Sequence, residues 1–249
     1  MRLFIILFSA LYISLYISYA GAACPAVTWQ ETVTLKKIND GDTVTLSDGR
    51  LVRFIGINTP EINHRERHKS EPFAIDAKIL LEKYINKGDK LHLVFDKQRQ
   101  DKYGRLLAYV YSKTGRNLAL LQLQAGLAEQ WVVAGNDRFW SCFQGAENQA
   151  RAAKKGIWSS FTPLSATDLK KSDQGYLYVT GKISNISEDS KNILLTLDNH
   201  LMVKIKRDRL PLFAGINFSR QQSLLLRGRL TLFKGKPYLA LYHPVQILH

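Results

Sequence analysis

Residues 40–61 read D-G-D-T-V-T-L-S-D-G-R-L-V-R-F-I-G-I-N-T-P-E, and this stretch leaves few folds open. Two alternating apolar runs, Val44 to Leu46 and Leu51 to Ile57, flank Ser47-Asp48-Gly49-Arg50, so the economical reading is a β-hairpin through an Asp-Gly turn. Alternation cannot put Val52, Phe54, Ile55 and Ile57 all on one face, and Arg53 lies among them. A guanidinium on an otherwise apolar strand either snorkels to solvent or faces an anion. Pro60 donates no hydrogen bond and biases Thr59 away from helix, so the strand ends at Asn58-Thr59-Pro60-Glu61. Oxygen groups at that end, opposite Asp40 and Asp42 and with an arginine beside them, are what a hard cation plus a phosphate would need.

A second run, Asp101-Lys102-Tyr103-Gly104-Arg105, leads into the strand-like Leu106 to Tyr111. With it the sequence resembles the thermonuclease family, the calcium-dependent staphylococcal nuclease type. The family's D-G-D-T, R-x-x-G-I-[DN]-T-P-E and D-K-Y-G-R-x-L-A-Y motifs stand at 40–43, 53–61 and 101–109, and its ending A-E-x-x-A-R…G-I-W at 146–158. The likeness covers roughly residues 30–160 and rests on four separated motifs agreeing in order and spacing. It implies a nuclease with a calcium ion, acting on DNA and RNA.

Phosphodiester hydrolysis needs an activated water, an offset for charge on five-coordinate phosphorus, and a positioned leaving group. Asp42 is the first expected metal ligand, with Asn58 and the Thr59 carbonyl as further hard oxygens. Glu61 is the expected general base. Arg53 and Arg105 would grip the phosphate, since planar bidentate donors suit its equatorial oxygens. Lys102 and Tyr103 would hold a neighbouring phosphate or sugar. Taken singly, each has a plainer reading: Asp42 a hairpin cap, Glu61 a solvated carboxylate, Arg105 an edge-strand charge. Trp131, Trp140 and Trp158 read as packing, with base stacking the alternative. The family often carries aspartate where this chain has Asn58, so a formal charge is missing and calcium binding should be weaker.

The chain's 249 residues favour two domains, and a net charge of +14 with pI near 9.8 points to polyanionic partners. Residues 1–22 read as a signal peptide: Arg2, an uncharged apolar run from Leu3 to Tyr19, then Ala20-Gly21-Ala22. The protein is thereby expected to be exported, periplasmic or secreted, with no transmembrane segment in the mature chain; an uncleaved anchor is the rival reading. Cys24 and Cys142 are the only cysteines, and an oxidising compartment favours their pairing as a disulfide over free thiols or acylation of Cys24.

From strand and helix periodicity, residues 23–160 are expected to form a five-stranded Greek-key barrel of the oligonucleotide-binding (OB) type with three helices, an α+β arrangement that the resemblance also implies. The helices fall at Phe73 to Tyr84, Asn117 to Ala128 and Asp137 to Lys154. His64 and His68 lie in a polar stretch, 62–72, that reads as a solvated loop. Residues 161–173 read as a linker, and 174–249 as a second all-β, OB-like domain. Residues 165–249 hold thirteen Lys or Arg against six acids, net +7, without a second Asp/Glu/Arg set like the first. Lys204, Lys206, Arg207, Arg227, Arg229, Lys234 and Lys236 lie on or beside its strands, where a groove tracking a phosphate backbone would want them. The sequence thus points to a monomeric exported nuclease with no protein partner evident. The alternative is a non-catalytic nucleic-acid-binding protein of the same fold.

Overall fold

In a computed structural model, Cys24 and residues 27–133 and 135–248 are described; the expected signal peptide lies outside these residues. The expected hairpin is present. β1 (Glu31–Ile38) pairs with β2 (Thr43–Leu46), and β2 turns through Asp48-Gly49 into β3 (Leu51–Phe54). The Asp48 carboxylate accepts from the Arg50 backbone N–H at 3.0 Å, and Gly49 takes a φ of 91°. The apolar run to Ile57 is not one strand. Gly56, at φ 90°, bends the chain where a Cβ would lie 2.6 Å from the Phe143 ring. A separate β4 (Gly56–Asn58) results, which resolves how Phe54, Ile55 and Ile57 can all be buried.

Next come helix α1 (Ala74–Glu82), strands β5 (Lys90–Val94) and β6 (Leu106–Tyr111), and helix α2 (Leu118–Gln124), whose Asn117 cap accepts from Leu120 N at 3.0 Å. β7 (Glu129–Trp131), which periodicity does not reveal, pairs with β4 and is followed by α3 (Trp140–Ala152). Strands in the order β1-β2-β3-β6-β5 close into a barrel, β3 and β6 being parallel. Its core contains Leu46, Val52, Phe54, Leu93, Tyr109 and Phe143. Cys24 and Cys142 are disulfide-bonded, tying the start of the described chain to α3.

Residues 161–173 are not a free linker. They contain β8 (Leu164–Ser165), paired in parallel with β9 (Gly175–Glu188), and they bury Ala166 and Leu169 in the second core. Phe161, Leu164, Ala166 and Leu169 fall at no regular spacing among the polar residues of this stretch, so periodicity does not register. β10 (Asn192–Leu197), β11 (Leu201–Lys206), β12 (Ser223–Phe233), β13 (Lys236–Leu241) and β14 (Ile247–Leu248) complete the chain. The order β9-β10-β11-β13-β12 closes through β12–β9, with β11 and β13 parallel. Strand for strand this repeats the first barrel's topology, so both units are OB-like.

The two barrels share a polar seam. Arg227 of β12 and Glu147 of α3, both fully buried, form an ion pair of 2.6 Å; Arg227 Nε also donates to Val245 O, and Glu147 Oε1 accepts from Gln130 N. Burial works against the Arg227 charge, and Glu147 with Tyr178 and Tyr176 more than restores it, so its pKa is raised. Arg227 therefore cannot serve a phosphate backbone, contrary to its sequence reading. Arg207 is likewise engaged, with Glu188 at 2.6 Å.

Candidate functional site

The site grows from the β2–β3 hairpin. Pairing of Thr43 with Arg53 sets Arg53 next to Asp42, and the two form an ion pair, so Asp42 has a basic partner that its sequence neighbourhood does not disclose. Asp42 is 2% exposed; its Oδ1 accepts from Thr43 Oγ1 at 3.0 Å and its Oδ2 from Thr59 N at 2.9 Å. Burial pushes its carboxyl up, to about 6, against the pull of Arg53. The turn is packed from behind. Gln122, buried on α2, donates through Nε2 to Gly41 O at 2.8 Å and Ala77 O at 2.7 Å. A Cβ on Gly41 would lie 2.6 Å from that of Ala77. Asp40 belongs to the turn, its Oδ1 accepting from Asp42 N at 3.1 Å.

Asn58 ends β4 with its oxygen accepting from Arg53 Nη2 at 2.8 Å and its Nδ2 donating to Glu129 Oε1 at 3.3 Å. Glu129 Oε2 in turn accepts from the Tyr178 hydroxyl of the second barrel. A continuous relay, Asp42–Arg53–Asn58–Glu129–Tyr178, thus runs from the site into β9. Burial raises the Glu129 carboxyl, partly countered by Tyr178 and Arg227.

Glu61 opens to solvent, with its N–H donating to Glu71 Oε2 at 2.8 Å. Its carboxyl is raised, first by loss of water on its protein side and then by the charge of Asp42, against the opposing pulls of Arg53 and Arg105. These charges therefore share one electrostatic neighbourhood. Arg105 is held by Asp101, Nε to Oδ2 at 2.7 Å, while Asp101 Oδ1 also accepts from Tyr103 N and Arg105 N. Arg53, Lys102, Tyr103 and Arg105 line one cleft of about 490 Å³, walled on its far side by Trp131. Tyr103 is 72% exposed, with Lys102 over its ring at 5.0 Å.

Among the described residues, no three of His, Cys, Asp and Glu gather as a metal site. The donors present are one buried carboxylate, one amide oxygen and the Thr59 backbone. Arg53 touches both Asp42 and the Asn58 oxygen, so those two oxygens face a single cationic group. An oxygen-only donor set suits a hard cation better than a soft one.

Gln122, Glu129 and Tyr178 escaped sequence reading, and Asp101, read there only as part of a motif, was given no role in holding Arg105. Asp101 and Arg105 stand four apart, and Gln122 is flanked by leucines in a helix whose other polar residue is Gln124; both were signals. Glu129 and Tyr178 offered none, because their meeting is purely tertiary.

Residues 51–160 match the family described as staphylococcal nuclease homologue. The SPbeta prophage-derived endonuclease YokF of Bacillus subtilis is 39% identical over 132 residues, 51% of this chain and 44% of its own length. Endonuclease YncB of the same organism is 38% identical over 132 residues, 51% of this chain and 61% of its own length. The Staphylococcus hyicus thermonuclease is 31% identical over 135 residues, 53% of this chain and 78% of its own length. The chain thus spans about half the length of the two Bacillus relatives and most of the thermonuclease.

Proposed function

Because this chain belongs to the staphylococcal nuclease family, we propose that it is a calcium-dependent endonuclease hydrolysing DNA and RNA with little sequence preference. The observation that carries the proposal is the cleft in which Arg53, Arg105, Lys102 and Tyr103 meet, next to a raised Glu61 carboxyl.

Asp42, Asn58 and the Thr59 carbonyl would hold the cation. A bound calcium supplies positive charge that offsets the charge building on the phosphoryl oxygens. Arg53 and Arg105, which line the cleft, would offer N–H donors to the same oxygens. Arg53 is held beside the cleft by its Asp42 ion pair and by Nη2 donating to the Asn58 oxygen. Asp101 fixes the Arg105 fork before substrate arrives, which lowers the cost of ordering it. Glu61, raised toward working pH and open to solvent, is suited to take a proton from the attacking water. Lys102 and Tyr103 hold the adjoining phosphate or sugar.

Export to the periplasm or medium is supported by the Cys24–Cys142 disulfide. No helix among the described residues is long and apolar enough to cross a membrane. The acting unit is taken to be the monomer.

Glu61→Gln and Arg105→Ala test the assignment. Each should lower turnover by about 10² to 10⁴ with circular dichroism and unfolding midpoint unchanged. Wild-type turnover in either folded variant would remove that residue from the site.

A further inference from the structure

A second cavity, of about 510 Å³, lies where the barrels meet. One wall is β7, through Trp131; the other is the outward face of the second barrel. On β13, Pro237, Leu239 and Leu241 point into the core, which leaves Tyr238, Ala240 and, just beyond the strand, Tyr242 facing out. Tyr176 of β9 packs on Trp131 with ring centroids 4.5 Å apart and is still 39% exposed; Tyr242 is 58% exposed. Cations alternate with these rings. Arg229, opposite Tyr176 across the β12–β9 ladder, is exposed and lines the cavity, and Lys204 Nζ lies 5.2 Å from the Tyr238 ring centroid.

Trp131 lines this cavity and the catalytic cleft alike, so the two adjoin at a single indole. We propose that this inter-barrel groove binds single-stranded nucleic acid, holding the nucleotides next to the scissile phosphate with their bases stacked on Trp131, Tyr176 and Tyr242. This rests on the nuclease reading for which strand is present, though not for the chemistry of the groove. Exposed rings beside the exposed Arg229 match unpaired bases on a phosphate backbone. A duplex keeps its base faces covered and could use only the cations. The proposal also gives the second barrel its role: neither wall makes the groove alone.

The test is fluorescence anisotropy of a labelled twenty-nucleotide thymidine strand, and of a duplex of equal length, measured in chelator so that nothing is cut. Tyr242→Ala and Arg229→Ala remove exposed side chains. Each should weaken strand binding by about tenfold and duplex binding by much less, and Arg229→Ala should lower the slope of log affinity against log salt by about 1. Wild-type strand affinity in both variants, or equal losses for strand and duplex, would overturn the groove. In the unmutated protein, light-driven cross-linking of a bromouracil-substituted strand should fall on residues 131, 176 or 242. Cross-links confined to the first barrel away from Trp131 would overturn it independently of how any variant folds. Because binding is read without turnover, a misassigned active site would abolish cleavage and leave these results standing. Failure of the groove would leave cleavage untouched.

Discussion

The Asn58 side-chain amide donates to Glu129 while its oxygen faces Arg53, so the amide is oriented from both ends. A carboxylate at 58 would meet Glu129 directly. Like charges at that range cannot both ionise cheaply, and the pair would take up a proton. The charge nominally added by Asn58→Asp would be cancelled. We therefore expect Asn58→Asp alone to leave the calcium midpoint no tighter and to cost about 1–3 kcal/mol of stability. Asn58→Asp with Glu129→Gln should tighten calcium binding. Calcium titrations of the single and double variants, read by activity and by thermal shift, check this; tightening in the single variant alone would contradict it.

The buried Arg227–Glu147 pair joins the barrels, and removing one partner strands the other charge. Arg227→Met should destabilise by about 3–5 kcal/mol, with Arg227→Met/Glu147→Gln recovering much of the loss. Urea unfolding of the two variants measures it. Equal stabilities of wild type and Arg227→Met would mean the seam carries no weight.

The Cys24–Cys142 bond spans 118 residues. Closing so long a loop is worth about 4–5 kcal/mol in chain entropy. Reduction, or paired replacement by alanine, should lower the denaturation midpoint accordingly, with the barrel still formed at low temperature. An unchanged midpoint after complete reduction would show that the bond does not restrain the unfolded chain.

His243 sits in the seam, edge-on to Trp140 at 5.1 Å, with Nδ1 accepting from Val245 N and Asp137 at 3.9 Å from Nε2. Burial lowers its pKa against the opposing pull of Asp137. A histidine depressed in the folded state contributes stability that is complete above its unfolded pKa of about 6.5 and is lost as pH falls below it. Wild type should therefore lose more stability than His243→Gln between pH 7.5 and 5.5. Identical losses in the two proteins would exclude His243 as the source.

The hairpin, the family motifs and the barrel count were legible because each depends on neighbours in the chain: Asp48-Gly49 makes its own turn, and Asn117 caps its own helix. What stayed hidden was set by tertiary register. Asp42 acquires Arg53 only once Thr43 pairs with Arg53. Gly56 reads as an ordinary strand glycine until Phe143 arrives from α3. The positive count of the second barrel was visible, but charge alone could not tell Arg227, buried against Glu147, from Arg229, open at the groove. Nor could composition show that Tyr178 reaches Glu129.

The most direct test of the account is digestion of single-stranded DNA, duplex DNA and RNA by residues 23–249, with calcium and with chelator. Cleavage of all three is expected in calcium, without marked sequence preference, and none in chelator. Binding without cleavage at any calcium concentration would contradict it and leave the non-catalytic reading of the same fold.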